Sequence, residues 1–257
     1  MFILDFTLEK YKKLCQAIAS SEYIPLKMHD YLQLKNPYKH IILRHDVDRI
    51  PDQAQKMAQI ENEHGIISTY YFRTVKEVFR PEIIHQIAGF GHEIGYHYEV
   101  LDKAKGDLKK AIKIFDEDLS EFRKITDVTT ICMHGNPLTK WLNSDIWKEY
   151  NYNNYGIIGE AYLSIDYSNL SYFTDTGRAW NSSRYNIKDT IQANIDKVKS
   201  TDELIELIKT GSQRNICILT HPNRWADNFD DWLIELVWQN IKNIGKTMIK
   251  NRKWSHD

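Results

Sequence analysis

The chain has 257 residues, 42% of them apolar, and a formal net charge of −1. This length suffices for one α/β domain with a sizeable buried core, and we predict a single domain over residues 1–257. The near-neutral charge excludes the electrostatic footprint of a nucleic-acid-binding protein, and no run approaches the roughly 18 apolar residues of a membrane span. The N-terminus lacks the basic and long apolar segments of a secretory signal, which predicts a cytoplasmic protein. No sequence feature predicts a protein partner.

The order of apolar runs predicts an α/β fold. Residues 1–39 are expected to form a helical extension packed on the rest of the domain. Seven apolar or β-branched runs then predict strands at residues 40–43, 67–72, 93–96, 129–133, 155–159, 170–173 and 216–219. Helical patterns separate most of these runs, which implies a largely parallel sheet, closed into a β/α barrel. Residues 160–169 show no clear helix, so the barrel should be irregular there.

Two apolar stripes at helical spacing are expected to face the core. The first has five members in the middle of the chain: Leu108, Ile112, Phe115, Leu119 and Phe122. The second lies near the C-terminus: Phe229, Trp232, Leu233, Leu236, Val237, Ile241 and Ile244. Three widely spaced cysteines, Cys15, Cys132 and Cys217, are expected to be buried free thiols.

Five polar clusters follow the ends of strand-like runs. They are RHDVD (44–48), GHEIGYHYE (91–99), CMHGNP (132–137), FTDTGRAW (173–180) and LTHPNRW (219–225). Their key residues, separated by 51, 37, 41 and 46 positions, are Asp46, His97, His134, Asp175 and His221. Each separation is about one strand-plus-helix unit, so the five side chains should converge at the carboxyl end of the barrel. Asp and His in one cavity indicate a metal-assisted hydrolase.

The residue types suggest a division of labour within this cavity. Asp46 and Asp48 are two apart and would share a face of an extended chain, so that one could bind a divalent metal while the other accepts a proton from water. His97 and the nearby Glu99 are ordinary metal ligands. His221, at a strand exit, is suited to general-acid catalysis, and Asp175 could orient it.

Together these clusters resemble the polysaccharide deacetylases of the NodB-homology type, carbohydrate esterase family 4, over residues 41–225. The resemblance implies an irregular seven-stranded β/α barrel, a distorted TIM-type fold. It also implies that Asp46 is the general base and Asp48 a metal ligand, although the residue between them leaves the two roles exchangeable. The segments HGNP, TDTGRAW and LTHPNRW look closest to the signal-less branch found with surface-polysaccharide and O-antigen biosynthesis.

One position departs from the family pattern. The family's second motif has a second His four residues after the first, but here Leu101 follows His97 at that distance. Glu99 and His134 are both candidates for the missing ligand. His134 also stands where the third motif usually has an Arg that steadies the base. Asp175 and Trp180 resemble the fourth motif, and His221 matches the fifth, whose His protonates the leaving amine.

The sequence therefore predicts a metal-dependent amide hydrolase that removes an N-acyl group, expected to be acetyl, from an amino sugar or saccharide precursor. The cofactor would be a divalent metal, zinc with cobalt or nickel as alternatives. Substrate contact is assigned to Arg178, Trp180 and Trp225. Two other functions are left open: a catalytically degenerate barrel that binds a saccharide, and a hydrolase of another non-peptide C–N bond.

Overall fold

The computed structural model describes residues 4–33, 39–180, 191 and 198–254. Its eight strands all pair in parallel within one sheet. They are β1 (Ile24–Leu26), β2 (His40–Val47), β3 (Thr69–Phe72), β4 (Glu93–Tyr98), β5 (Thr130–Met133), β6 (Gly159–Glu160), β7 (Ser171–Thr174) and β8 (Ile216–Thr220).

Seven of these strands run in the order β6-β5-β4-β3-β2-β8-β7, and β1 joins the first half of β2. The sheet curls into a partial barrel, which confirms the predicted irregular seven-stranded α/β barrel. The expected closure is replaced by an opening, because no ladder joins β6 to β7 in the described part of the chain. A short 3-10 helix, Tyr167–Asn169, lies between these two strands, within the segment predicted to be irregular.

Eight α-helices surround the sheet among the described residues. They are α1 (Leu8–Ala19), α2 (Met28–Gln33), α3 (Pro51–Glu63), α4 (Pro81–Gly89), α5 (Val100–Lys103), α6 (Leu108–Arg123), α7 (Thr201–Thr210) and α8 (Phe229–Trp254). The predicted N-terminal extension contains α1 and α2 but also β1, a strand too short to give a periodic signal; its residues 1–3 and 34–38 lie outside the described residues. The strand expected at 155–159 is shorter and starts later, because Gly156 ends a 3-10 helix in the left-handed conformation.

Of the two predicted apolar stripes, the one on α6 is buried and the one on α8 is mostly exposed. On α6, Ile112, Phe115, Leu119 and Phe122 are buried against the sheet, as expected. On α8 the expectation is wrong, because most of the stripe faces outward while the polar residues Glu235, Gln239 and Asn243 are buried. Spacing along a helix identifies an amphipathic pattern but does not determine which side meets the barrel.

Two further findings concern the chain as a whole. All three cysteines are free and buried, as predicted. No helix among the described residues is long and apolar enough to cross a membrane.

Candidate metal centre

The carboxyl ends of five parallel strands bring the predicted site residues together. Asp46 lies at the end of β2, and Asp48 follows it after a tight turn in which the Asp48 N–H donates to the Asp46 carbonyl (3.1 Å). His97 lies in β4, and His134 directly follows β5, where its N–H donates to the Tyr98 carbonyl (2.8 Å). Asp175 and His221 follow β7 and β8.

The carboxylate of Asp48 lies among three imidazole rings. Its Oδ1 is 3.4 Å from His97 Nε2 and 3.6 Å from His134 Nε2, and its Oδ2 is 4.0 Å from His221 Nε2. Two ligands bonded at about 2.0–2.2 Å to one tetrahedral ion lie about 3.4 Å apart, so Asp48 has the spacing of a ligand shared with both His97 and His134.

The same oxygen lacks an ordinary hydrogen bond. Asp48 Oδ1 is buried and has no hydrogen-bond partner among the described residues, an unfavourable state for a carboxylate oxygen unless a cation is near. Burial would raise the pKa of Asp48, but the contact with His97 and the charges of His134 and His221 hold it well below its usual value. This atom and its donor set fit a divalent cation.

The other ring nitrogen of each histidine faces an oxygen atom, in a hydrogen bond for His97 and in a charge contact without hydrogen-bond geometry for His134. His97 Nδ1 is 3.0 Å from the Cys132 carbonyl, which fixes the tautomer that presents Nε2 to Asp48. His134 Nδ1 is 3.3 Å from Glu99 Oε2. Burial would lower the pKa of His97, but the carboxylates of Asp46 and Asp48 raise it above its usual value. Both rings thus present Nε2 to the same oxygen of Asp48.

Glu99 is engaged elsewhere, which bears on the missing ligand. Its two oxygens accept hydrogen bonds from Arg73 at 2.6 and 3.2 Å. Burial would raise the pKa of Glu99, but His134 and Arg73 lower it to about 2. The Glu99 carboxylate, shared between the Arg73 guanidinium and the His134 imidazole, is therefore placed to orient His134. Leu101, at the position of the missing ligand, is buried in the apolar core.

Two clusters of metal-ligand atoms flank Asp48, and both contain residues that are otherwise occupied. One comprises Asp46, His97 and Cys132, and the other comprises Glu99, Asp102 and His134. Asp102 accepts hydrogen bonds from Trp141 Nε1 (2.7 Å) and Asn143 Nδ2 (3.0 Å). Burial and the nearby Asp46 raise the pKa of the Cys132 thiol well above its usual value, which disfavours the thiolate that binds metals. Each cluster contains only one of the two histidines, whereas Asp48 Oδ1 lies within 3.6 Å of the Nε2 atoms of both His97 and His134.

A charged group beneath Asp46 was missed by the sequence reasoning. Arg44 is fully buried and donates to Cys132 Sγ (3.2 Å), while the same thiol lies 3.7 Å from Asp46 Oδ1. The Arg44 guanidinium also stacks over the Tyr162 ring at 4.7 Å. Its position two residues before Asp46 on a strand was the available signal, because such residues share a face. Arg73 offered a similar signal, since it directly follows β3.

His221 and Asp175 form a pair on the opposite side of Asp48. His221 Nδ1 is 2.7 Å from Asp175 Oδ1, and the other carboxylate oxygen accepts from the His221 N–H (3.0 Å) and from Trp225 Nε1 (3.0 Å). Arg224 Nη1 also lies 2.7 Å from His221 Nδ1, but its two hydrogens go to Asp175 Oδ1 (2.5 Å) and to the Asp175 carbonyl (2.9 Å). We therefore assign the Nδ1 hydrogen of His221 to its bond with Asp175. Burial would raise the pKa of Asp175, but Arg224 and His221 lower it.

The three residues assigned to substrate contact are engaged with other parts of the protein. Arg178 donates to the Trp232 carbonyl (2.8 Å) and stacks on that indole. Trp180 is buried against Phe6 and donates to Thr201 (3.1 Å). Trp225 is fully buried behind Asp175. Trp180 and Trp225 thus belong to the apolar core, in one cluster with Phe6 and Tyr11.

In comparisons with known proteins, no family model matches the chain and no match was found among curated proteins. The geometry of the site and the sequence motifs therefore carry the functional argument.

Proposed function

We propose that this protein is a metal-dependent amide hydrolase that removes an acetyl group from an amino sugar or saccharide precursor. The observation that carries the proposal is the position of Asp48, within 3.6 Å of the Nε2 atoms of His97 and His134 and 4.0 Å from Nε2 of His221. The resemblance of the five sequence clusters to polysaccharide deacetylases supports an amino-sugar substrate and a role in surface-polysaccharide biosynthesis.

Asp48, His97 and His134 would hold the metal, with zinc favoured and cobalt or nickel as alternatives, because one carboxylate and two imidazoles suit these ions. When bound, such an ion supplies positive charge that makes a water molecule more acidic and polarises the amide carbonyl. His134 takes the place of the ligand that Leu101 cannot provide. A complete ligand set favours catalysis over the degenerate saccharide-binding barrel.

The remaining residues handle protons. Asp46 is buried beside His97, with 3.9 Å between its Oδ2 and Nε2, and would accept a proton from the attacking water. The water oxygen bonds to the amide carbon, and the C–N bond then breaks. His221 donates the Nε2 proton to the departing nitrogen, because Asp175 holds its other nitrogen. The products are acetate and a free amine, with one water consumed.

Metal analysis combined with acetate release tests this proposal. Purified protein should contain close to one divalent ion per chain and should release acetate from at least one N-acetylated amino sugar, tested as the free, nucleotide-linked and lipid-linked forms. Chelation should abolish release, and added zinc, cobalt or nickel should restore it. Protein that binds no divalent metal would contradict the proposal. Metal binding with release of ammonia or of another amine from non-sugar amides would favour the alternative C–N hydrolase.

A further inference from the structure

Helix α8 turns its polar side toward the barrel. This side carries three buried polar residues at steps of four: Glu235, Gln239 and Asn243. Glu235 accepts hydrogen bonds from Arg49 (3.1 Å) and Asn223 (3.3 Å), and Asn243 donates to the Gly177 carbonyl (2.9 Å). These polar partners at the end of the barrel fix the rotation of the helix.

The opposite side of α8 is apolar and open to solvent. Seven large apolar residues on it, the α8 apolar face, are each 44–67% exposed: Phe229, Leu233, Ile234, Val237, Trp238, Ile241 and Ile244. With side chains of this size they expose roughly 700 Å² in total, more than the about 300–600 Å² of the largest patch on a typical monomer. A face of this size indicates an interaction surface.

Four of these residues form a seam of the kind that packs against another helix. Ile234, Val237, Ile241 and Ile244 follow one another at steps of three, four and three. Alternating steps of three and four are those of the heptad repeat, with which two helices stay in contact along their length. The seam is β-branched throughout, which suits packing of this type. Its natural partner is therefore another helix with the same repeat.

We propose that the α8 apolar face binds the same face of a second copy of this chain, with the two helices antiparallel. Roughly 700 Å² per copy is close to the about 800 Å² per partner of a stable protein interface. Asp230 and Asp231 are exposed at the start of α8. A parallel pair would bring four carboxylates together, whereas an antiparallel pair places them at opposite ends. The same acids disfavour an anionic membrane surface.

A two-fold axis near the middle of the seam would give each of the four seam residues an apolar partner on the other copy. Ile234 of one copy would then lie against Ile244 of the other, and Val237 against Ile241. The interface is self-complementary, as a dimer with two-fold symmetry requires. Asn240, exposed beside the seam, would lie close to its own copy across the axis.

Sedimentation of the full chain over a concentration series tests the dimer. We expect the mass to rise from 30.4 kDa to twice that value. Ile241→Glu should weaken the dimer by about 100-fold or more, because it buries an unpaired charge in the seam. Leu163→Glu is the matched control, since Leu163 (53%) and Ile241 (55%) are almost equally exposed and Leu163 does not lie on α8. Its dimer should be unchanged. Wild-type protein that stays at 30.4 kDa at every concentration would overturn the proposal.

Cysteine cross-linking with a short bis-maleimide tests the orientation. The native cysteines are buried, so the reagent should react at an introduced surface cysteine. Asn240→Cys should give a covalent dimer, because its two copies flank the same side of the seam near the axis, whereas Asp230→Cys should not, because its two copies would lie more than about 20 Å apart along the helix axis. A cross-link through Asp230→Cys would overturn the antiparallel arrangement. Binding of monomeric protein to phosphatidylglycerol vesicles, lost in Ile241→Glu, would replace the dimer with a membrane contact.

Discussion

At the scale of single residues, the site depends on how three imidazole rings share the carboxylate of Asp48. A buried oxygen without a hydrogen bond is costly, and a cation bound there would remove that cost. Asp46, two residues earlier, lies near one of these rings, with Oδ2 3.9 Å from His97 Nε2, and its other neighbours are Arg44 and the Cys132 thiol inside the barrel. The two acids therefore have different surroundings, which argues for Asp48 as the ligand and Asp46 as the base.

These surroundings predict different effects of two similar substitutions. Asp46→Asn should keep the metal and reduce acetate release by about 10²–10⁴-fold, because it removes only a proton acceptor. Asp48→Asn should lose the metal, because an amide oxygen lacks the charge that balances a dication. Metal content per chain and the turnover rate measure both effects. If the Asp46→Asn protein contains no metal and the Asp48→Asn protein retains it, the roles of ligand and base are reversed.

A second pair of variants separates ligation from orientation. His134→Ala should reduce metal affinity strongly, because it removes a donor atom 3.6 Å from Asp48 Oδ1. Glu99→Gln should reduce it by about 10–100-fold, the usual effect of losing a residue that orients a ligand. Titration with zinc against a competing chelator gives both affinities. A larger loss in Glu99→Gln would make Glu99 the third ligand, and no loss in either would exclude three-residue ligation.

At the scale of elements, the packing of β4 against β3 depends on a residue without a side chain. A Cβ at Gly95 would meet the Tyr71 ring at 2.3 Å and the Thr130 carbonyl at 3.0 Å. Tyr71 is fully buried inside the barrel and cannot move aside freely. Gly95 therefore keeps β4, which carries His97, close to its neighbour.

We accordingly expect Gly95→Ala to destabilise the fold by about 1–3 kcal/mol, as overpacking of a dense core does. Gly89→Ala is the control, because Gly89 ends α4 with no atom near its added Cβ. It should leave stability unchanged or raise it slightly. Urea unfolding followed by circular dichroism measures both. Equal stability of the two variants would show that Tyr71 relocates.

Sequence reasoning succeeded where a local signal sufficed and failed where a contact partner decided the outcome. The approximate positions of most strands could be found from apolar runs followed by polar clusters, although β2 and β4 run on through Asp46 and His97. This was enough to bring Asp48, His97 and His134 together. The engagement of Glu99 by Arg73 could not be found, because it depends on two chain segments meeting. The inward side of α8 depended in the same way on Arg49 and Asn223.

At the scale of the whole molecule, a second buried polar group joins α1, α3 and the sheet. Glu61 is fully buried; its carboxylate contacts His45 Nε2 (2.8 Å) and accepts hydrogen bonds from Ser68 (2.6 Å), Tyr70 (2.9 Å) and Tyr11. Burial would raise the pKa of Glu61, but His45, the nearby His92 and the hydroxyl of Ser68 lower it from 4.5 to about 2. The folded protein therefore favours the charged form.

This shift predicts a loss of stability in acid. The contribution of Glu61 should be complete above about pH 4.5 and should disappear as the pH falls toward 2, because in this range the unfolded chain takes up a proton at Glu61 while the folded protein does not. The loss should be on the order of 3 kcal/mol over the whole range. Urea unfolding of wild type and Glu61→Gln between pH 6 and pH 3 measures this contribution. The difference between their free energies of unfolding should become smaller as the pH falls. A constant difference would contradict it.

The central position of β2 also imposes an order on biosynthesis. One edge of β2 pairs with β1 and β3, which are near it in the chain, but the other edge pairs with β8, with His45 opposite Thr220, 175 positions later. During translation, that second edge remains unpaired until β8 has left the ribosome, and an unpaired edge can recruit other chains. Asp48 and His97 are synthesised well before His221, which reaches them only when β8 docks. The candidate site is thus completed only when β8 pairs with β2.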